Sequence, residues 1–197
     1  MTLTDPKTFR AALVIGAALV SGVLCFAAAQ ARHSVVRPVE VQRFSVTSSR
    51  PFDEVLSRIE GGLAHPDMPS FVKQLSEAHN QSELESVVNA AVGTTGIMQF
   101  NEFDLGGVLR KEAGDQAPPI VRLLVGNPLI MAEMVKSVPD AGSYAPVTIL
   151  IDQRPDGVHV SYDKMTSLLS PYENKDVLQV ARKLDAKIEG LITSAAF

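Results

Sequence analysis

Residues 146–163 read PVTILIDQRPDGVHVSYD, and this stretch decides the fold because it predicts a β-hairpin. Both ends of the stretch carry the alternating apolar and β-branched side chains that are typical of strands. Between them Pro155 presets one backbone angle, Asp156 tolerates the next and Gly157 supplies a positive φ, as a tight turn requires. Strands joined by so short a turn pair antiparallel, so we expect a mainly antiparallel sheet.

Further strands and helices are predicted on either side of this hairpin. In all, the strands are expected at residues 39–47, 97–103, 120–125, 146–153 and 158–163. Helices are expected after Pro51, Ser70, Ser82, Asn127 and Asn174, where capping residues precede a periodic apolar stripe. The apolar phase slips at Arg43, which indicates a bulge in the first strand, and residues 106–119 are interpreted as a polar connection. The order predicts one α+β domain with an antiparallel sheet of about five strands covered by helices.

Composition excludes several classes of protein. The chain has 197 residues, 18 basic and 22 acidic, and a net charge of −4. This length fits one domain, and the charge balance gives no basic footprint for a nucleic acid. The 46% hydrophobic content excludes a disordered chain. Cys25 is the only cysteine, so the chain cannot form an internal disulfide.

The first residues have the pattern of an export segment. Lys7 and Arg10 precede an uncharged run at residues 11–29, and Ala29-Gln30-Ala31 follows as a small-x-small cleavage pattern. A retained membrane helix is the alternative, because the run is close to the roughly 20 residues that cross a bilayer. Both hypotheses export the rest of the chain, either free in the periplasm or anchored in the inner membrane. The predicted division is 1–31 for the signal peptide or anchor, 32–38 for a linker and 39–194 for the domain.

The last predicted strand carries the three polar residue types of a hydrolase triad. Its alternation puts His159, Ser161 and Asp163 on one face of the sheet. A hydrolase triad needs the histidine between the nucleophile and the acid, whereas here the serine lies in the middle. These three residues alone therefore do not make a triad, and no residue is assigned a catalytic role.

Other residues are candidates for holding a small ligand. The Gly126-Asn127 turn lies where a strand ends and a helix begins, a position suited to anions, although Pro128 removes one amide donor. Glu102 and Asp104 share one strand face near its end, where they could bind a cation or act as an acid–base pair.

Tyrosines and a histidine complete the candidate set. Tyr144 and Tyr162 could donate hydrogen bonds to a ligand, and His159 could join them. The histidines have no metal-ligand spacing, and Met131 and Met134 are interpreted as core residues, so no metal site is predicted. The sequence identifies no cofactor.

Several segments, taken in order, resemble the bacterial family called domain of unknown function 302. They are Phe44-Ser45-Val46, Pro51-Phe52-Asp53-Glu54-Val55, Leu124-Val125-Gly126-Asn127-Pro128, and the strands of the closing hairpin with its terminal tyrosine. The resemblance implies a compact α+β fold that often self-associates and has no settled activity. Many members have Asp-His after the second strand, where this chain has Asp104-Leu105, and residues 65–92 form an insertion typical of a longer subtype.

Three functional hypotheses follow. The first is an exported binding module whose pocket, near Asp104, Gly126, Asn127 and Tyr162, holds a small ligand or cofactor. The second is an envelope protein that self-associates, as a homodimer for example, through a sheet edge or helix face. The third is a hydrolase-like enzyme that uses Glu102 or Asp104 with His159. Contact with a membrane is expected only through residues 11–29, if they are not cleaved.

Overall fold

The computed structural model describes residues 34–114 and 116–197, of which residues 37–197 form one compact unit. The predicted signal or anchor, residues 1–31, lies outside the described residues. The described strands are β1 (Arg43–Ser48), β2 (Met98–Asp104), β3 (Ile120–Gly126), β4 (Val147–Arg154) and β5 (Gly157–Asp163). The described helices are α1 (Phe52–Gly61), α2 (Met68–Glu77), α3 (Gln81–Ala91), α4 (Leu105–Ala113), α5 (Pro128–Ser137), α6 (Met165–Leu169) and α7 (Lys175–Ala196).

The described strands form one five-stranded sheet in the order β1-β5-β4-β3-β2. Every neighbouring pair is antiparallel, which confirms the predicted α+β class and the antiparallel sheet. The hairpin of β4 and β5 lies at its centre, and Arg154 pairs with Gly157 across a turn of Pro155 and Asp156. Gly157 has a φ of 139°, and an added Cβ would lie 2.6 Å from the carbonyl oxygen of Ser48 on β1. Glycine is therefore required there by both backbone conformation and space.

Alternation along the strands divides the sheet into two faces. On β5 the side chains of Val158, Val160 and Tyr162 are buried against the helices. His159 and Ser161 point to the opposite face and are half-buried, as the polar-face interpretation of that strand predicts. The buried face carries the main core, which α1, α5 and α7 cover.

A second, smaller apolar cluster lies beside the main core. It is formed by buried residues of α2, α3 and the start of β2, namely Phe71, Val88, Val92 and Met98. Ala64 connects this region to the sheet, because its N–H donates to the carbonyl of Ile97 and its carbonyl accepts from the N–H of Gln99. Residues 65–92 thus fold as a helical hairpin that packs around this smaller cluster.

Two details of the predicted first strand are wrong. The bulge expected at Arg43 is absent from β1, whose described residues keep one register with β5. Strand β1 begins only at Arg43, because the N–H and C=O of Gln42 bond to Ser167 and Lys164 instead of to a strand. The bulge of this sheet lies in β2, between Gln99 and Asn101.

The predicted polar connection at residues 106–119 contains helix α4. Its first glycine, Gly106, is required by close packing. A Cβ at Gly106 would lie 2.8 Å from the N of Ile120 and 2.9 Å from the O of Pro118. Asp104 caps this helix by accepting the N–H of Gly107 at 2.7 Å. The final helix also extends to Ala196, two residues past the predicted domain end at 194.

Candidate functional site

An apolar cavity lies at the end of the sheet where β3 gives way to α5. Its volume is about 270 Å³. We call it the α2–α5 cavity. It is lined by Met68, Phe71, Val72, Leu75, Phe100, Gly126, Asn127, Pro128, Ile130, Met131, Met134, Ala145, Pro146, Val147 and Leu184. The cavity thus lies at the seam between the main core and the smaller α2–α3 cluster.

The Gly-Asn-Pro turn forms one end of the cavity. Asn127 is the N-cap of α5, and its Oδ1 accepts the N–H of Leu129 at 2.8 Å. Its Nδ2 donates to the carbonyl of Gly96 at 2.9 Å. Both ends of the amide are therefore already bonded within the protein. The predicted cap of α5 is confirmed, and the side chain joins the turn to the loop before β2.

Helix α2 forms another wall of the cavity. It contributes Met68, Phe71, Val72 and Leu75, which lie on one face of the helix at spacings of three and four residues. Phe71 is buried, whereas the side chain of Val72 is 56% exposed. Among the lining residues Val72 and Pro146 are exposed, so the lining reaches solvent at these two residues. The cap of α2 is Asp67, whose carboxylate accepts the N–H of Ser70 at 3.0 Å.

The acidic candidates lie away from this cavity. Met98 pairs with Gly126 at one end of the β2–β3 ladder, and Asp104 pairs with Val121 at the other. Asp104 lies six residues along β2 from Met98, the partner of Gly126. At ~3.3 Å per residue this separation is roughly 20 Å. The expected pocket joining Asp104 to the Gly-Asn-Pro turn is therefore wrong. Asp104 instead caps α4 and accepts a hydrogen bond from Arg110 at 2.8 Å.

Glu102 lies next to another carboxyl group. It accepts a hydrogen bond from the side chain of Gln99 at 3.3 Å. Burial, followed by the hydrogen bond and charge of Glu102, raises the pKa of Glu60 at the end of α1. Across the described residues, no group of three or more His, Cys, Asp or Glu side chains is arranged to hold a metal ion.

Tyr162 is part of the core and not of a pocket wall. Its side chain is 1% exposed, and its hydroxyl donates to Oδ1 of Asp185 on α7 at 2.7 Å. Asp185 is itself buried and accepts from the backbone N–H of Met165 at 2.8 Å and of Thr166 at 3.1 Å. Burial, followed by the charge of Asp185, raises the pKa of Tyr162 strongly. The pair therefore fixes the start of α6 against α7.

Tyr144 lies beside the cavity without lining it. Its neighbour Ala145 does line the cavity, while the Tyr144 ring packs half-buried against the main core. Close by, the hydroxyl of Tyr172 donates to Asp140 at 2.7 Å. That hydrogen bond, followed by burial and by Tyr144, raises the pKa of Tyr172 to about 12. The guanidinium of Arg37 lies 4.7 Å from the centre of the Tyr172 ring.

His159 pairs with a carboxylate of its own hairpin. Its Nε2 lies 2.9 Å from Oδ1 of Asp156 in the turn, and this hydrogen bond lowers the pKa of Asp156. On the sheet His159 is level with Asp152 of β4, with strands β4 and β3 between it and β2. It thus meets neither Glu102 nor Asp104. The structure consequently brings only Gly126 and Asn127, of the predicted site residues, to the cavity.

The residues that sequence reasoning missed are the apolar ones. Among them are Met68 and Val72 of α2 and Leu184 of α7, which all line the cavity. The available signal was Val72, an exposed apolar residue next to buried Phe71 on the same helix. Met134 is buried in the main core as predicted, whereas Met131 is half-buried and lines the cavity. Only the fold reveals that this side of α5 borders a space.

The fold and the cavity define a class of protein, namely an α+β domain with an open antiparallel sheet and an apolar cavity at one end. The model of the family described as Domain of unknown function DUF302 matches residues 71–195, and the chain belongs to that family. The resemblance inferred from the sequence is therefore confirmed. The match begins within α2, so it includes the cavity wall from Phe71 onward.

Solved structures also resemble this chain. One is the crystal structure of an uncharacterized conserved DUF302 protein from Bacillus stearothermophilus. Its TM-score is 0.55 at 15% sequence identity, and the match covers 79% of this chain and 98% of that chain. At this identity the likeness shows the fold alone. None of the curated proteins matches the sequence.

The described residues contain no helix that is long and apolar enough to span a membrane.

Proposed function

We propose that this protein is an exported small-molecule-binding module and that its site is the α2–α5 cavity. The observation that carries the proposal is an apolar space of about 270 Å³ that opens to solvent beside Val72. A space of this size, close to the lower limit of known ligand pockets, favours an occupant.

The lining determines the kind of molecule that would be bound. Aromatic and thioether side chains such as Phe71, Phe100, Met68 and Met131 surround the space. Each methylene group that leaves water for such surroundings contributes ~0.8 kcal/mol to binding. Methionine side chains also adapt their shape to a ligand at little cost. The module is therefore a binder of apolar molecules.

A fluorescent apolar probe tests the proposal. N-phenyl-1-naphthylamine is neutral and brightens when it leaves water. We expect it to bind the wild-type protein and to bind Val72→Trp at least about tenfold more weakly, because an indole at the mouth fills the entrance. Val108→Trp is the matched control, since Val108 is an exposed helical valine on α4 that does not line the cavity. Its affinity for the probe should equal that of the wild type.

Two results would contradict the proposal. The first is an absence of probe binding to a folded wild-type protein. The second is an equal loss of affinity in Val72→Trp and Val108→Trp, which would place the probe elsewhere. Circular dichroism of both variants checks that the α+β fold is retained.

A second candidate function is self-association, and one observation favours it. Large apolar side chains are exposed at the end of β2 and on α4, namely Phe103, Leu105, Val108 and Leu109. Exposed apolar patches are typical of protein interfaces. In sedimentation velocity, Val108→Lys should abolish a homodimer while Val72→Lys should leave it unchanged. A wild type that stays monomeric at all concentrations would remove this candidate.

The hydrolase-like alternative has no geometric support. His159 bonds to Asp156, and both Glu102 and Asp104 lie on a strand that is separated from it by β4 and β3. A general base must come within hydrogen-bond reach of its partners or of a bridging water. The binding module consequently remains the first proposal.

A further inference from the structure

We propose that the α2–α5 cavity takes the hydrocarbon tail of a single-chain amphiphile, such as a fatty acid or fatty alcohol, and leaves the polar end in solvent beside Val72. This inference rests on the proposed function, because it names the ligand class of that same site. It is carried by the chemistry of the lining and by the position of the mouth.

The cavity offers no free polar side chain to a ligand. Among the described residues that line it, Asn127 is the only one with a polar side chain. Its amide is already bonded to the N–H of Leu129 and to the carbonyl of Gly96. A polar group inside the cavity would lose its water and find no side-chain partner. The buried part of the ligand is therefore hydrocarbon.

The size of the cavity limits that hydrocarbon part. A void of roughly 150 Å³ holds one benzene ring, so about 270 Å³ holds a little less than twice that volume. A chain of about ten carbons fits this volume, and its polar end then lies at the opening beside Val72. The lining includes Met68 on α2 and Met131 on α5. Methionine side chains adapt their shape, which suits a flexible hydrocarbon chain.

The charged side chains near Val72 do not select between an anionic and a neutral polar end of the ligand. Lys73 follows Val72 on α2 and lies 3.8 Å from the carboxylate of Glu77 in an exposed ion pair. Such a pair gives at most a small preference for an anion. A carboxylate and a hydroxyl at the end of the same chain should therefore bind almost equally.

Competition against N-phenyl-1-naphthylamine tests the ligand class. 1-Decanol and decanoate should displace the probe with affinities within about threefold of each other, because both polar ends remain in water. Decanedioate has the same chain with a carboxylate at each end. It should bind at least about thirtyfold more weakly, because one charge would have to enter the cavity. Equal binding of decanedioate would overturn the inference.

A charge introduced at Val72 tests where the polar end of the ligand lies. With Val72→Asp, decanoate should lose about fivefold in affinity through repulsion that salt weakens, while 1-decanol should change less than about twofold. Val108→Asp is the matched control and should affect neither ligand. An equal loss for both ligands in Val72→Asp, or no loss for either, would contradict the proposed orientation.

The two proposals fail in different ways. If the probe itself does not bind, the site is wrong and both proposals fall. If the probe binds but neither 1-decanol nor decanoate displaces it, the cavity is a binding site for another class of molecule. Only the present inference then fails.

Discussion

Several polar residues of this protein stabilise the fold through hydrogen bonds within the protein. Asn127 bonds two backbone segments, and Tyr162 shares the buried carboxylate of Asp185 with the start of α6. Buried polar groups without partners are costly, so residues of this kind are expected to bond within the protein. Their positions explain why the residues predicted to contact a ligand are largely structural, while the cavity is apolar.

Replacement of Asn127 measures its structural role. Asn127→Ala removes the cap of α5 and the hydrogen bond to Gly96, so we expect a loss of about 1–2 kcal/mol in the free energy of unfolding. Asn101→Ala is the control, because Asn101 is exposed and its side chain accepts only the N–H of Glu102. Urea denaturation compares the two variants. A stability of Asn127→Ala equal to that of Asn101→Ala would disprove the capping role.

The raised pKa of Tyr162 predicts a loss of stability in alkali. In the folded protein burial and Asp185 keep the phenol protonated, whereas in the unfolded chain it ionises near pH 10. This contribution to stability is fully present below about pH 10 and falls as the pH rises further, by at most ~1.36 kcal/mol per pH unit. Tyr162→Phe removes the ionising group, so its stability should fall less steeply between about pH 9 and 11.

A control separates this effect from general weakening. Val160→Ala also creates a defect in the buried face of β5 but removes no titrating group, so it should keep the wild-type slope. Urea midpoints at several pH values give both slopes. Parallel curves for Tyr162→Phe and the wild type would show that Tyr162 does not hold its proton in the fold.

At the scale of elements, the central hairpin depends on one glycine. Gly157→Ala combines an unfavourable φ of 139° with a Cβ placed 2.6 Å from the oxygen of Ser48. We expect a loss of at least about 1–3 kcal/mol, because β1 must move away from β5. Gly190→Ala on α7 is the control, since nothing lies within 4 Å of its added Cβ. That variant should gain up to about 1 kcal/mol. Similar thermal midpoints for the two would contradict this account of the turn.

The same scale shows what the sequence could and could not predict. The hairpin, the cap at Asn127 and the stripe of α7 follow from local signals, namely turn residues, a helix cap and apolar spacing. Helix α4 was missed because residues 106–119 were interpreted as a polar connection, whereas Gly106 is there because Ile120 and Pro118 approach it closely.

The cavity was only half predicted for a related reason. Its Gly126-Asn127 end has a recognisable motif, and its α2 wall does not. Whether Phe71 and Val72 face a filled or an empty space depends on how α2 and α5 are packed against the sheet. Separations along strands also decide which polar residues can meet. Asp104 and Gly126 share one ladder, but they lie at opposite ends of it.

For the whole molecule, the proposed export predicts where the chain is found in the cell. Expressed with its own N-terminal segment, the protein should leave the cytoplasm. If cleavage follows Ala31, its intact mass should correspond to a chain that begins at Arg32. A Met1 start in the membrane fraction would instead favour the anchored form. Leu19→Arg puts a charge in the apolar run and should hold the protein in the cytoplasm. Wild-type protein with Met1 in the cytoplasmic fraction would contradict export.

The most direct test of the central claim uses the methionines that the fold divides into two groups. Met68, Met131 and Met134 line the cavity, whereas buried Met165 lies by Asp185 and serves as an internal reference. In protein labelled with ¹³C at the methionine methyl groups, addition of 1-decanol should shift the three cavity signals and leave Met165 unchanged. Shifts of equal size at Met165, or unchanged signals from all three cavity methionines at saturating 1-decanol, would show that the cavity does not hold the chain.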